Sequence, residues 1–227
     1  MYGMNSDLIF KRLSPVELGY FIGVGQSDGY LKKPKNSSYY LGIGVRKKSL
    51  PMFNKFRNLC KRLTNNSGST YIDKRYNNKS YQFNVGCGHL VPIFEELNLV
   101  FNESCPPKWL VKNKIIFGAY LAGLIDGDGD VRITRPKYPQ CSVRISLNRK
   151  IPELTNAIKN NLNCGLNYNE VTSTKYLEGR KLHSTSRRIE FKVSKVNWDY
   201  IVDYVIPHMQ IKYKKNKIKK FIEMRGR

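Results

Sequence analysis

Two stretches of this chain repeat each other one hundred residues apart, and that repeat restricts the fold more than any other feature. Leu18-Gly-Tyr-Phe-Ile-Gly-Val-Gly-Gln-Ser-Asp-Gly29 aligns with Gly118-Ala-Tyr-Leu-Ala-Gly-Leu-Ile-Asp-Gly-Asp-Gly129, so that Tyr20 matches Tyr120, Gly23 matches Gly123, Asp28 matches Asp128 and Gly29 matches Gly129. A repeated segment implies a repeated supersecondary unit. The residues after each copy repeat in type as well. Tyr30-Leu-Lys-Lys33 and Tyr39-Tyr-Leu-Gly-Ile-Gly-Val-Arg46 alternate and are rich in aromatic and β-branched residues, as are Asp130-Val-Arg-Ile-Thr134 and Cys141-Ser-Val-Arg-Ile-Ser-Leu147. Each pair reads as a β-hairpin.

A helical pattern with proline in its first turn comes next in each half, at Leu50-Pro-Met-Phe-Asn-Lys-Phe-Arg-Asn-Leu59 and at Ile151-Pro-Glu-Leu-Thr-Asn-Ala-Ile158. Proline suits that position because its missing N–H has no partner there anyway. Two further strands come after it in each half, at 69–72 and 80–85 and at 166–176 and 188–193, and short helices near 90–97 and 198–204 close the halves. The predicted architecture is α+β, an αββαββα unit occurring twice. The expected division is an N-terminal subdomain over 1–101, a turn-rich connector over 102–110 and a C-terminal subdomain over 111–227.

Glycine inside a helix costs about 1 kcal/mol relative to alanine, so Gly23 and Gly123 call for a structural reason. Close approach of the two helices is that reason, with Gly25 and Ser27 beside the first and Ala122 and Gly127 beside the second. Gly29 and Gly129 fit the position just past a helix end, where a left-handed conformation is expected. Asp28 and Asp128 then stand at helix C-termini. The macrodipole is negative there, and two carboxylates brought together across a helix pair also repel, so a divalent cation would relieve both. Hard oxygen donors of this kind suit magnesium and phosphodiester hydrolysis.

Charge agrees with that chemistry. The chain carries 40 Lys and Arg against 17 Asp and Glu, a net +23, which favours a polyanionic partner. Hydrophobic residues at 41% and aromatic residues at 12% are those of a globular core rather than of a disordered basic tail. No apolar run approaches the ~20 residues that span a bilayer and Met1-Tyr2-Gly3 begins no signal peptide, so an intracellular protein without membrane contact is expected. Five scattered cysteines form neither a disulfide framework nor a CxxC zinc site, and His89, His183 and His208 are too few for a histidine-built nuclease centre.

Leu121-Ala-Gly-Leu-Ile-Asp-Gly-Asp-Gly129 resembles the motif of the LAGLIDADG homing endonucleases. The first copy, Phe21-Ile-Gly-Val-Gly-Gln-Ser-Asp-Gly29, is a degenerate version in which Gln26 replaces the inner aspartate that Asp126 retains. The resemblance runs over roughly residues 15 to 222. It implies a pseudo-twofold monomer whose two saddle-shaped antiparallel four-stranded sheets lie in the major groove of double-stranded DNA, cutting both strands to leave 3′ overhangs. It also implies Mg²⁺, replaceable by Mn²⁺ or Ca²⁺, held by Asp28, Asp128 and the carbonyls of Ser27 and Gly127. Around the metal-bound water it places Lys47 in the first half, and Lys195 with Asn148 or Arg149 in the second. The first-half counterpart of Lys195 falls near Gly88, which suggests halves of unequal chemistry.

The resemblance further implies that outward strand side chains read DNA, for which Lys32, Lys33, Tyr40, Arg46, Arg75, Tyr76, Arg132, Arg135, Arg144, Lys175 and Arg187 are the candidates. Two other readings share the fold: an intron RNA maturase and a cleavage-inactive DNA-binding protein. Retention of both Asp28 and Asp128 favours cleavage over either. An intein-borne nuclease is disfavoured by Met1 and by the absence of a closing His-Asn, so a freestanding or intron-encoded enzyme is expected.

Overall fold

The computed structural model describes residues 7–74, 79–135, 137–177 and 180–226, with the backbone alone for residues 7, 175–177 and 180–183. A short α1 (Asp7–Arg12) leads into the first unit: α2 (Pro15–Ser27), β1 (Gly29–Lys32), β2 (Tyr40–Arg46), α3 (Leu50–Thr64), β3 (Ser69–Asp73), β4 (Ser80–Gly86) and α4 (Val91–Glu96). After the connector and α5 (Lys108–Val111) the order recurs as α6 (Lys114–Asp128), β5 (Gly129–Thr134), β6 (Gln140–Leu147), α7 (Pro152–Leu162), β7 (Leu166–Leu177), β8 (Arg180–Val193) and α8 (Trp198–Tyr200). The last of these continues as a π-helical turn over Ile201–Val205, and α9 (Lys212–Met224) lies beyond the repeat. The expected duplicated αββαββα unit is present.

Each sheet is antiparallel and four-stranded, with the equivalent orders β1-β2-β4-β3 and β5-β6-β8-β7. Alternation assigns the faces. Leu41, Ile43 and Val45 of β2 and Val143 and Ile145 of β6 are buried under the helices, so Tyr40, Gly42, Gly44 and Arg46, and in the second sheet Ser142, Arg144 and Ser146, lie on the other face. Even the helix ends repeat: α3 and α7 both stop on a left-handed asparagine, Asn65 at φ 55° and Asn163 at φ 47°.

The motif helices α2 and α6 are buried on nearly every side. Their starts are built differently. In α2, Ser14 and Glu17 form a capping box, with the Ser14 N–H donating to Glu17 at 2.9 Å and the Glu17 N–H to Ser14 Oγ at 3.3 Å, whereas in α6 Asn113 Oδ1 accepts from Ile115 and Ile116 at 3.0 and 3.2 Å. Where the helices cross, a Cβ on Gly23 would stand 2.2 Å from the Tyr120 carbonyl oxygen, and one on Gly123 would stand 2.6 Å from that of Tyr20. The expected backbone-to-backbone contact is therefore real.

The left-handed cap expected at Gly29 and Gly129 is not formed. Neither glycine has a positive φ, and Gly129 at φ −81°, ψ 150° is already extended, so each strand starts directly from its helix. Space, not handedness, requires glycine here: a Cβ on Gly29 would lie 2.8 Å from the Gly25 carbonyl oxygen, and one on Gly129 2.4 Å from that of Ile125.

The connector is pinned to both halves. The Asn102 N–H donates to the Gly25 carbonyl at 3.2 Å and Gln26 Nε2 to the Cys105 carbonyl at 2.8 Å, while Asn148 Nδ2 donates to the Asn102 carbonyl at 2.7 Å and Arg149 pairs with Glu103. Among the described residues no helix is long and apolar enough to cross a membrane.

Because the Gly23 contact is with rigid backbone, Gly23→Ala should lower stability by on the order of 3 kcal/mol in chemical denaturation. Gly86→Ala, at a position with nothing within 4 Å of a new Cβ, should stay within about 0.5 kcal/mol of the parent.

Candidate active site between the two motif helices

The crossing carries the C-termini of α2 and α6 to one place. Asp28 caps α2, its N–H donating to the Val24 carbonyl at 3.0 Å, and Asp128 is the last residue of α6. A Cβ on Gly127 would fall 2.1 Å from Ser27 Oγ and 3.0 Å from Asp28 Oδ2, so the residues before the two aspartates are in contact. Burial pushes the Asp28 carboxyl above its ordinary range, opposed by the Lys214 ammonium. Burial and then the Asp28 charge push Asp128 up to about 7, again opposed by Lys214. Each carboxylate thus stands at the negative end of a helix dipole, with Lys214 relieving its charge only in part.

One layer deeper, the pseudo-twofold is written in hydrogen bonds. Tyr20 OH donates to Asp126 Oδ2 at 2.9 Å and Tyr120 OH to Gln26 Oε1 at 2.7 Å, each tyrosine reaching the inner polar residue of the opposite helix. Position 26 differs from 126 because its surroundings differ. Asp126 accepts the N–H groups of Gln210 and Ile211 at 2.6 and 3.1 Å, where an acceptor is needed, whereas Gln26 also donates to the Cys105 carbonyl, where a donor is needed. Both are almost fully buried, so an unmatched polar atom at either position would be costly.

Lys214 of α9 is the residue that sequence reading passed over. It is 5% exposed, and its Nζ donates to the carbonyls of Ile125 and Asp126 at 2.7 Å each and of Gly127 at 3.3 Å. A signal was there: with Ile211, Ile218, Phe221 and Ile222 it falls on the apolar stripe of an otherwise basic helix.

The remaining candidates are more dispersed. Lys47 is exposed in the 3-10 turn after β2, and Asn148 stands after β6 at the equivalent point, its side-chain amide held by the Asn102 carbonyl. Lys195 is exposed in the turn after β8, beside Gln140, Trp198 and Phe221. Lys48, next to Lys47, is close enough to Lys214 to oppose its protonation.

On the first sheet Lys32 lies over the Tyr30 ring at 4.9 Å, Lys33 over Tyr39 at 5.2 Å, Tyr40 packs edge-on to Tyr30 at 6.1 Å, and Arg46 is exposed. Gln82 and Asn84 share that face above Gly44 and Gly42, with Tyr30 OH donating to Asn84 Oδ1 at 2.7 Å; sequence reading had not singled out these amides. On the second sheet Arg132 donates to Asp130 at 2.9 Å, and Arg144, buried rather than open, pairs with the same carboxylate. Arg187 donates to the Asn148 carbonyl at 3.0 Å and to Glu170 at 3.1 Å, and Arg135 is exposed in a left-handed conformation at φ 58°. The backbone of Lys175 lies in β7, and Arg75 and Tyr76 fall outside the described residues.

This duplicated architecture, with paired aspartates at the crossing of two glycine-containing helices, is the fold of the LAGLIDADG homing endonucleases. Solved structures that share it include the homing endonuclease I-WcaI bound to its DNA recognition sequence, with TM-score 0.57, 16% identity and coverage of 92% of this chain and 90% of that one. I-DmoI in complex with DNA and Mn matches with TM-score 0.51, 16% identity and coverage of 84% and 97%. The meganuclease I-SmaMI bound to uncleaveable DNA matches with TM-score 0.50, 13% identity and coverage of 93% and 88%. No family model matches the chain, and no curated protein sequence matches it.

Asp128 binds its proton more tightly in the folded state, about 7 against an ordinary 3.8, so its ionisation weakens the fold as pH rises through that window. Glu17, held down to about 2 by Arg62, acts with the opposite sign and only below its ordinary 4.5. In thermal melts with chelator, Asp128→Asn should therefore gain on the parent between pH 5 and pH 7.5; a constant difference across that range would contradict the shift.

Proposed function

We propose that this chain is a site-specific double-stranded DNA endonuclease of the LAGLIDADG homing type, acting as a monomer. The observation that carries the reading is the convergence of Asp28 and Asp128 at the C-termini of two crossing helices, in a chain of net charge +23. Both carboxylates and both sheets come from one polypeptide, so a single copy completes the centre.

A divalent cation fits the residues present. Two half-buried carboxylates whose proton affinity burial raises, that of Asp128 further by the Asp28 charge, stand next to helix-terminal carbonyls and form an all-oxygen donor set whose negative charge Lys214 offsets only in part. Among the described residues there is no cluster of three or more His, Cys, Asp or Glu, so a cation here would rely on the two carboxylates, backbone carbonyls and substrate phosphate. Asp28, Asp128 and the carbonyls of Ser27 and Gly127 would hold Mg²⁺, or Mn²⁺ or Ca²⁺ in its place. Such an ion lowers the pKa of bound water and offsets charge on the attacked phosphate and leaving oxygen.

The chain's own groups do the rest. The backbone contact at Gly23 and Gly123 fixes the separation of the two carboxylates. Lys47, Asn148 and Lys195 are assigned to ordering water and phosphate around them, Asn148 through a geometry set by its bond to the connector. Backbone phosphates would be gripped by Lys32, Lys33, Arg46, Arg132 and Arg135, while bases are read from the open sheet faces. Gln82 and Asn84 have the donor–acceptor pair that adenine presents a match for, and arginines such as Arg132 suit guanine. Two cuts, one per strand, leaving 3′ overhangs, are expected of the duplicated centre.

With Mg²⁺ the purified protein should linearise a plasmid that carries a site selected from a randomised library. Asp28→Asn and Asp128→Asn should each reduce cutting below detection while DNA binding stays within a few-fold; retained cutting by either variant would end the reading. Affinity should also fall by about 10³–10⁵ between 50 and 200 mM salt, as expected when ~6–10 phosphates are neutralised. A flat salt response in a filter-binding titration would contradict the basic-surface argument.

A further inference from the structure

We propose that Lys214 is a positioning residue of this centre, a tethered cation that competes with the divalent ion for the Asp28–Asp128 pair and for the Gly127 carbonyl. The inference rests on reading that pair as the metal-holding group. Three observations carry it.

Lys214 is buried on the apolar stripe of α9, yet it keeps its ammonium at the end of α6, donating to three successive carbonyls there. Burying an ammonium is unfavourable unless it is compensated; burial lowers the proton affinity of Lys214 below the ordinary lysine range, and the negative end of a helix and three carboxylates offset that only in part. Those carboxylates, Asp126, Asp28 and Asp128, all act on its charge, with Lys48 opposing. Nor can the ammonium easily swing out. Asp126 accepts the N–H groups of Gln210 and Ile211 just before α9, and Lys217 Nζ donates to the Val131 carbonyl at 3.1 Å, which fixes the helix to both α6 and β5.

Among the described residues, no side-chain cation donates to the carbonyl at the equivalent place in the first half. Gly25 corresponds to Ile125 in the repeat, and its carbonyl accepts the neutral Asn102 N–H of the connector at 3.2 Å. A neutral donor therefore suffices to cap a motif helix, and a lysine at the second site does something further. A positive charge fixed beside two carboxylates repels a divalent ion that approaches the same oxygens.

The test is Mn²⁺ binding by the full-length protein without DNA, followed by the electron paramagnetic resonance signal of free Mn²⁺. Lys214→Met removes charge and donor together, and Lys214→Gln keeps a donor for the carbonyls while removing the charge. Both should tighten Mn²⁺ binding by about tenfold or more. Lys215→Met, which removes the same charge one residue along α9, should change it by less than about threefold. Thermal melts separate the capping role, since Lys214→Met should melt lower than Lys214→Gln. Should Lys214→Met fail to fold, Lys214→Gln alone decides the matter. An unchanged Mn²⁺ affinity in a folded Lys214→Gln would overturn the proposal and leave Lys214 a plain helix cap. Mn²⁺ binding that appears only once the charge is removed supports it. If the parent binds Mn²⁺ and Asp28→Asn with Asp128→Asn leaves that binding intact, the metal-pair reading fails, and this inference fails with it.

Discussion

The contact on which the rest of the structure depends is the crossing of α2 and α6 at Gly23 and Gly123. With no Cβ on either residue, each glycine meets the carbonyl of the opposing tyrosine, Tyr120 or Tyr20, and the helices approach as closely as backbones allow. That approach has consequences at each end of the polar chain. Deep in the interface it brings Tyr20 to Asp126 and Tyr120 to Gln26, so that four buried polar side chains are satisfied across the pseudo-twofold. At the helix ends it forces Asp28 and Asp128 together where water is partly excluded. The electrostatic cost of the site is therefore a product of the packing that makes the fold, and with both carboxylates kept it persists as long as the halves stay packed.

Features encoded locally were legible in the sequence. The hundred-residue repeat, the alternation of each hairpin and the proline-marked start of α3 and α7 each lie within a short window, and the element order is built from them. Asp28 and Asp128 were legible because they close the two repeated segments. Gly29 and Gly129 were read for the wrong reason: a glycine after a helix most often signals a left-handed cap, but here the chain turns directly into a strand and the side-chain space is taken by Gly25 and Ile125. Local pattern identifies the residue type that is needed without stating which constraint needs it.

The features that stayed hidden are tertiary. Gln26 looked like a degraded aspartate, yet its donor is matched by the Cys105 carbonyl of a connector whose path no periodicity reveals. Lys214 sat in the basic run from Lys212 to Lys220, which by pattern reads equally as a solvated helix face or a phosphate-contacting element, and only the docking of α9 on α6 separates it from its neighbours. Arg144 alternates outward as expected, but Asp130 on the adjacent strand closes over it, so outward orientation and availability are different properties.

The asymmetry of the halves follows these same partners. The open face of the first sheet carries aromatic rings and amides, with Tyr30, Gln82 and Asn84 set over Gly42 and Gly44. The second face is ionic, with Asp130 facing Arg144 and Arg144 facing Glu190 across the strands, and Ser142 facing Lys192. A polyanion approaching the first face meets Arg46 and Lys32, for which no carboxylate partner competes among the described residues, beside neutral amides and rings, whereas on the second it must compete with carboxylates already bound to the arginines. The centre repeats this division, with a neutral amide capping α2 at Gly25 and a buried ammonium capping α6 at Ile125. A duplicated fold fixes where two equivalent carboxylates stand, but the unduplicated segments, the connector and α9, decide what each of them experiences.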